Sequence, residues 1–233
     1  MSKTHLFVAC CLALTCARLM AQESTSPSPV ITAALMEANV PFTHADATSA
    51  SGQRGLFVEI LDEVFKQINV PYTVRTYPWV RAQRQVELGE SDFLLTVPNA
   101  ERLAYAEASE LPVFLMRMQV YAMKEHPRLG DIQKINSATD ILSMGLIPIS
   151  NLGNGWHKLT IDAIGVQTVY GRTDESVVKM LAAKRGDMVV DSAVSMALEI
   201  KRLGLGNIIV ATGSPFAPLK FHLLLSKKSK YLH

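Results

Sequence analysis

The sequence predicts an α/β protein built from two units joined by two crossing segments, and three features of its pattern predict this. Short apolar strands alternate with amphipathic helices, which is typical of mostly parallel sheets flanked by helices. The segment around residues 118–127 (MQVYAMKEHP) separates two such groups of elements. The last predicted strand, residues 219–226 (LKFHLLLS), follows the complete second group and could therefore return to the first. A single continuous, doubly wound domain is the alternative interpretation.

The elements of the first unit are predicted from periodicity and from turn residues. Residues 55–69 carry apolar side chains at helical spacing on one face. Pro78 is placed to begin a second helix, and Gly89 is placed to end it. The strands predicted for this unit are residues 30–36, 72–77, 92–97 and 113–123.

The same alternation restarts in the second unit. One helix is predicted from about Trp156, a second is capped by Thr173, and a third spans residues 192–203. The strands predicted for this unit are residues 144–149, 166–170, 187–190 and 207–211.

Composition excludes several classes of protein. The chain has 233 residues, 48% of them hydrophobic, with 23 Lys and Arg against 21 Asp and Glu. This balance is that of an ordinary globular protein rather than of a disordered or collagenous chain. The net charge of +2 and the lack of a basic run interleaved with aromatic residues give no indication of a nucleic-acid partner.

The first 21 residues are predicted to be a secretory signal. Lys3 precedes an apolar stretch, residues 6–17, and a cut after Ala21 would lead into the linker at residues 22–29, which contains STSPSP. Removing residues 1–21 would leave 21 basic and 21 acidic groups and no cysteine, which suits an oxidising compartment such as the periplasm. A lipid anchor on Cys16 and a buried N-terminal helix are the alternatives.

Several short motifs together resemble a known family. They are YPWVRA (77–82), GESD (89–92), ER (101–102), GDMVVD (186–191) and LLLSKK (223–228). In order and spacing they are similar to bacterial extracellular solute-binding proteins of family 3, the amino-acid-binding receptors of ABC importers and their relatives. The resemblance covers nearly all of the chain that follows the predicted signal.

The resemblance implies two lobes that hinge shut on a small polar ligand and perform no chemistry on it. It implies a first lobe of residues 30–119 and 215–233, and a second lobe of residues 120–214 that includes the hinge segments. We therefore expect no catalytic residue, no metal and no cofactor. The expected partners are the ligand and an inner-membrane ABC permease or a sensor, and we expect a monomer.

Two charged residues are the principal candidates for binding the ligand. The resemblance implies that Arg102 holds a ligand carboxylate, to which a guanidinium offers two parallel donors. The alternative is a surface arginine paired with Glu101 or Glu107. Asp191 ends an apolar strand, and the resemblance implies that it holds an ammonium group. Capping the helix that begins at residue 192 is its alternative role.

Further candidates surround these two residues. The aromatic residues Phe42, Tyr77 and Trp79 are suited to sandwiching an apolar or planar part of a ligand, although each could equally pack within a lobe. Arg81 is either a second cation of the cleft or a brace for its helix. The polar candidates are Thr96, Asn99 and Asn154.

Departures from the family pattern leave other hypotheses open. Asn99 and Val97 stand where amino-acid-binding relatives usually carry hydroxyl residues, so a standard α-amino acid is in doubt as the ligand. An enzyme on the same scaffold, similar to a dehydratase acting on a small carboxylate, is the alternative function. Relatives also continue into a further helix after the last strand, so a truncated, non-binding paralogue is a third hypothesis.

Overall fold

The structure is a computed structural model that describes residues 30–232, and the chain from Ile31 onward forms one compact unit. Within this unit, two open sheets each carry helices, and the predicted α/β class is confirmed. The predicted signal, residues 1–21, and the predicted linker, residues 22–29, lie outside the described residues.

Strands make up much of both halves of the described chain. Those of the first half are β1 (Ile31–Met36), β2 (His44–Ala45), β3 (Gln53–Arg54), β4 (Tyr72–Tyr77), β5 (Phe93–Thr96), β6 (Ala106–Ala108) and β7 (Phe114–Met116). Those of the remainder are β8 (Met118–Met123), β9 (Pro148–Asn151), β10 (Val169–Gly171), β11 (Met188–Ser192), β12 (Ile209–Gly213) and β13 (Leu219–Ser226).

The helices are short, and several have local caps. They are α1 (Leu56–Gln67), α2 (Trp79–Leu88), α3 (Ala100–Tyr105), α4 (Leu129–Ile132), α5 (Ala138–Ser143), α6 (Gly155–Thr160), α7 (Asp174–Ala182) and α8 (Ala193–Arg202), with a 3-10 turn at Asp162–Ile164. As predicted, Gly89 ends α2 in the left-handed conformation and the Thr173 hydroxyl caps α7.

The first lobe is built on a sheet with the strand order β4-β1-β5-β13-β6, and β7 pairs with β13. Strands β4, β1 and β5 are parallel, whereas β13 runs antiparallel to β5 and β6. The prediction that the last strand returns to the first unit is therefore confirmed.

The second lobe is built on a sheet with the strand order β10-β9-β11-β8-β12, in which β10, β9 and β11 are parallel and β8 is antiparallel to both of its neighbours. The chain passes from the first sheet to the second at Arg117, between β7 and β8. It returns through residues 214–218, between β12 and β13. The single doubly wound domain is thus excluded.

Two sequence predictions about elements were wrong, and three short helices were not predicted. The predicted strand 113–123 is interrupted at Arg117, where the chain changes sheets. Residues 144–149 are not one strand, because Met144 is the C-cap of α5 and Gly145 leaves that helix with a φ of 59°. The helices α3, α4 and α5 were also missed. Each is only four to six residues long, too short to show a helical period.

Gly55 fixes the start of α1 against the preceding loop. Its φ of 126° and ψ of 171° lie in a region that only glycine occupies readily. A Cβ there would lie 2.6 Å from the Phe42 carbonyl oxygen. The first N–H groups of the helix, on Leu56 and Phe57, donate to the carbonyl oxygens of Pro41 and Phe42, both at 3.0 Å. The loop and the helix therefore meet at backbone contact.

We expect Gly55→Ala to lower the free energy of unfolding by about 2–4 kcal/mol, because the new methyl group would combine backbone strain with a steric clash. Gly206→Ala is the matched control. A Cβ at Gly206 meets no atom within 4 Å, and its φ lies outside the glycine-favouring range. Urea denaturation of both variants measures the difference, and equal stabilities would contradict this account of Gly55.

Among the residues that the structure describes, no helix has the length and apolar character needed to cross a membrane.

Candidate functional site

A cavity of about 260 Å³ lies at the carboxyl ends of the parallel strands of the first lobe. Its lining includes Met36 at the end of β1 and Thr96 at the end of β5. Trp79, the first residue of α2, and Arg102 of α3 complete its polar and aromatic side. Ligands of open α/β sheets bind at this end of the strands. The structure thus brings three predicted residues, Trp79, Thr96 and Arg102, together at one place.

Arg102 is held from three directions. Its Nε donates to the Gln83 side-chain oxygen at 3.0 Å, and one terminal nitrogen donates to the Val97 carbonyl at 2.7 Å. Its guanidinium carbon lies 5.1 Å from the ring centroid of Trp79, within range of a cation–π contact. Partial burial lowers the pKa of Arg102, but a guanidinium remains charged. No carboxylate in residues 30–232 forms an ion pair with it, so its remaining donors are available to an anion.

Asn99 supports Arg102 through the backbone. Its side-chain oxygen accepts from the Arg102 N–H at 2.8 Å and so caps α3. Its polar group is thereby used within the loop, whereas Thr96, only 7% exposed, lines the cavity itself.

Three other candidates lie outside this cavity. Phe42 is only 5% exposed and packs at 4.8 Å against Phe57, which lines the cavity floor. The guanidinium of Arg81, on α2, lies 5.4 Å from the ring centroid of Tyr77, the last residue of β4. Phe42 therefore belongs to the core, and Tyr77 and Arg81 pair with each other. None of the three lines the cavity.

The second lobe presents Asp191 at the end of β11, among the carboxyl ends of its own parallel strands. One carboxylate oxygen accepts from the Asn154 side-chain amide at 2.9 Å, and the other accepts from the Ser192 N–H at 2.6 Å. Asn154 also caps α6 by accepting from the His157 N–H at 2.9 Å. The structure thus joins two predicted residues, Asp191 and Asn154, by a direct hydrogen bond.

A second carboxylate, Asp174, lies close to Asp191 and was not predicted as a site residue. It is the first residue of α7 and accepts from the Asn151 side-chain amide at 2.8 Å. In the sheet, β9 lies between β10, which precedes Asp174 in the chain, and β11, which carries Asp191. Asn151, the last residue of β9, donates to Asp174, and Asn154, in the loop that follows β9, donates to Asp191.

The pKa values of both acids, Asp191 and Asp174, are raised. Burial raises the pKa of Asp191 to about 6; the Ser192 N–H and Asn154 oppose the rise, and the charge of Asp174 adds to it. Burial also raises the pKa of Asp174. No Lys, Arg or His in the described part of the chain forms an ion pair with either acid. The second lobe therefore holds negative charge without a compensating cation.

A larger cavity, of about 600 Å³, lies elsewhere, between the loop preceding β3 and the free edge of β4. Its charged lining comprises Arg54, Glu59 and Asp62, and none of the predicted site residues borders it. Arg54 is already paired with Asp46 at 2.7 Å. We therefore locate the candidate site at the carboxyl ends of the parallel strands and not in this larger cavity.

The described residues contain no group of three or more His, Cys, Asp or Glu side chains placed to hold a metal ion.

With this geometry established, comparison with solved structures identifies the fold. One neighbour is ytmK of Bacillus subtilis, a probable amino-acid ABC transporter extracellular-binding protein, with a TM-score of 0.66 and 14% identity over 88% of this chain and 87% of that chain. Another is a histidine kinase sensor domain with similarity to periplasmic binding proteins, with a TM-score of 0.62 and 16% identity over 87% of this chain and 85% of that chain.

A third neighbour is the GluR0 ligand-binding core of Nostoc punctiforme in complex with L-glutamate. Its TM-score is 0.59, with 18% identity over 87% of each chain. The fold of this chain is therefore the two-lobed fold of periplasmic-binding-protein-like domains. No protein-family model matches the sequence, and no curated protein matches it.

Two residues next to the predicted site residues, Gln83 and Asp174, were not predicted, although the sequence carries a weak indication of each. Gln83 follows Trp79 by one helical turn, so both lie on the face of α2 that reaches Arg102. Asp174 directly follows the predicted cap Thr173, where an acid is usually explained by the dipole of the helix alone.

Proposed function

We propose that this protein is an exported solute-binding protein, similar to family 3, which closes around a small zwitterionic solute. Arg102 in the first lobe would hold the carboxylate of the ligand, and Asp191 in the second lobe would hold its cationic group. Trp79 would cover an apolar part of the ligand, and Thr96 would add a hydrogen bond. We propose no catalytic role for any of these residues.

One observation carries the proposal: each lobe holds a partly buried charge to which residues 30–232 supply no counterion. A buried charge without a partner is costly, so such groups are usually paired or serve a function. Arg102 and Asp191 have opposite signs, and each lies at the carboxyl ends of parallel strands in its own lobe. A zwitterion supplies both missing partners at once.

Closure about the two crossing segments would bring the two half-sites onto one ligand. Such closure is a population shift, driven by contacts that exist only in the closed state. Gln119 of β8 supports the second crossing, because its side chain bonds the Gly213 carbonyl and accepts from the Ser214 hydroxyl at 2.9 Å. These contacts connect β8, which follows the first crossing segment, to the start of the second crossing segment.

The cellular setting belongs to the same proposal. We place the protein in the periplasm as a monomer that delivers its ligand to an inner-membrane ABC permease or reports the ligand to a sensor. Support comes from the predicted signal and from neighbours that include both a transporter-associated binding protein and a kinase sensor domain.

A thermal-shift screen tests the proposal. The panel contains the standard amino acids, simple carboxylates and simple amines. A ligand at 100 times its Kd stabilises the native state by about 2.7 kcal/mol, which such a screen detects. We expect a saturable shift with at least one zwitterion. Larger shifts with simple carboxylates or amines than with any zwitterion would contradict the proposal.

Binding of that zwitterion is expected to weaken at acid pH. Because the pKa of Asp191 is raised to about 6, the carboxylate that attracts the cation is ionised above this value and protonated below it. Ordinary α-carboxylates and amines do not titrate between pH 5 and pH 7.5, and one acid with this pKa should reduce the affinity about tenfold over that range. Calorimetry at both values measures the ratio, and equal affinities would contradict the role of Asp191.

The raised pKa of Asp191 also favours a second candidate, an enzyme similar to a dehydratase, since such a reaction needs an acid or base titrating near neutrality. Incubating the protein with a panel of small carboxylates and measuring their consumption separates the two functions. We expect binding without turnover. Catalytic consumption that Asp191→Asn abolishes would favour the enzyme.

A further inference from the structure

We propose that a cluster of His157, which is fully buried, with the half-buried Asp162, Thr168 and Tyr170 is a positioning device, which holds Asn154 in the orientation that binds Asp191. None of the four was a predicted site residue, and none lines the cavity of the first lobe. The functional meaning of the device rests on the function proposed above. The physical coupling between the cluster and Asp191 can be measured without any ligand.

A continuous set of hydrogen bonds joins the four residues of the cluster, and one of them, His157, belongs to α6. His157 is fully buried, and its Nε2 lies 3.0 Å from the Thr168 hydroxyl oxygen. The same hydroxyl lies 2.7 Å from one oxygen of Asp162. The Tyr170 hydroxyl donates to the other oxygen of Asp162. Three segments of the chain are thus joined: α6, the 3-10 turn after it, and β10 with its preceding loop.

The chemistry of the groups fixes the direction of these bonds. Burial by itself would raise the pKa of Asp162, but the hydrogen bonds from Tyr170 and Thr168 outweigh it and hold the pKa below its usual value. The ionised carboxylate only accepts, so the Thr168 hydroxyl donates to it. The hydroxyl oxygen then accepts from His157 Nε2–H. Burial lowers the pKa of His157, whereas the charge of Asp162 and the Val190 backbone oppose this shift.

Asn154 connects the cluster to the candidate site. The backbone N–H of His157 donates to the side-chain oxygen of Asn154, and the side-chain nitrogen of Asn154 donates to Asp191 at 2.9 Å. Both ends of the Asn154 amide are therefore engaged, and either bond fixes which atom faces which partner. If the first turn of α6 shifts, the Asn154 amide loses its alignment with Asp191.

A helix of six residues needs such an anchor. Helices this short have little stability of their own, so tertiary contacts must define their position. The helix α6 also meets the crossing segment through Trp156, whose ring packs edge-on against Phe216 with centroids 5.2 Å apart. The hydrogen bonds of His157 thus supply a directional restraint that apolar packing does not.

The experiment compares Thr168→Val with Thr168→Ser. Valine keeps the shape of threonine and removes the hydroxyl, whereas serine keeps the hydroxyl and removes a methyl group. The first readout is the carboxyl 13C resonance of Asp191 as a function of pH, assigned by its loss in Asp191→Asn. The second readout is the side-chain amide resonance of Asn154. Ser137→Ala, which removes the cap of α5 in the same lobe, controls for general destabilisation.

We expect Thr168→Val to raise the pKa of Asp191 by roughly 0.5 or more, because the bond from Asn154 favours the ionised form. Asn154→Ala should produce a similar rise, and the Asn154 amide should lose its protection from exchange in Thr168→Val. Thr168→Ser and Ser137→Ala should behave like the wild type. An unchanged Asp191 titration in a folded Thr168→Val variant would overturn the proposal, as would an equal rise in Ser137→Ala.

Tyr170→Phe provides a milder variant if Thr168→Val does not fold. It removes one bond to Asp162, leaves His157 and Thr168 in place, and should shift Asp191 in the same direction by a smaller amount. No shift in a folded Tyr170→Phe variant would then overturn the proposal. Because no ligand is added, a positive result together with a screen that finds no bound zwitterion would refute the proposed function alone.

Discussion

Replacing Arg102 with alanine is expected to weaken binding of the zwitterion by at least about 30-fold while leaving the fold intact. The loss corresponds to about 2 kcal/mol or more, the range found when one partner of a desolvated, hydrogen-bonded charge pair is removed. The guanidinium is held by Gln83, the Val97 carbonyl and Trp79, and not by a carboxylate. The variant therefore breaks no ion pair among the residues that the structure describes. Calorimetry measures the affinity, and the melting temperature reports the fold.

Arg84→Ala is the matched control for this variant. Arg84 lies on α2, one residue after Gln83, and pairs on the surface with Glu87 at 2.8 Å. Its removal also costs one positive charge, and exposed pairs of this kind contribute little to stability. An equal loss of affinity in both variants would assign the effect to net charge rather than to the position of Arg102. Unchanged affinity in Arg102→Ala would remove Arg102 from the site.

Asp191→Asn is expected to abolish the response to the zwitterion and, at the same time, to stabilise the unliganded protein. The raised pKa of Asp191 means that its charge is less favourable in the folded chain than in the unfolded chain. Removing that charge should increase the free energy of unfolding at pH 8 by about 1–2 kcal/mol. This figure is smaller than the full shift implies, because asparagine fits the Asn154 amide less well. The substitution would thus raise stability and remove binding, because the charge of Asp191 is unfavourable in the fold until the cationic group of the ligand pairs with it.

The pH dependence of this gain separates the charge from other effects of the substitution. The folded pKa of Asp191 lies above the unfolded one, so the wild type loses stability as the pH rises from about 4 through about 6, and it carries the full penalty above that range. The gain of the variant over the wild type should therefore be largest at pH 8 and should shrink steadily as the pH is lowered through 6 toward 4. Urea denaturation at the two pH values measures it, and a difference independent of pH would contradict the electrostatic explanation.

Much of the fold was predictable because local patterns and long-range pairing agree. Strands Tyr72–Tyr77 and Leu219–Ser226 have the predicted bounds, since alternation or an apolar run is bounded there by turn residues. The two helices between residues 129 and 143 were not predicted. A four-residue helix and a six-residue helix leave too few apolar positions to define a period, although the capping box of Ser137 with Asp140 was a usable signal.

The candidate site was predictable by residue type but not by side-chain direction. Arg102, Trp79 and Asp191 follow from motif positions at strand ends, where the fold places its ligands. Phe42 carries an equally suitable ring, yet its loop turns the ring into the core against Phe57. Gln83, Asp174 and the cluster around His157 depend on contacts between segments distant in sequence. Only the packed structure brings them together.

Calorimetric titration with three matched compounds tests the central claim most directly. They are the zwitterion found in the screen, its amide without the carboxylate, and its analogue without the amine. If Arg102 and Asp191 each bind one end of the ligand, the zwitterion should bind at least about 30-fold more tightly than either analogue. Equal affinities for all three would contradict the claim, because neither charged residue would then contribute to recognition.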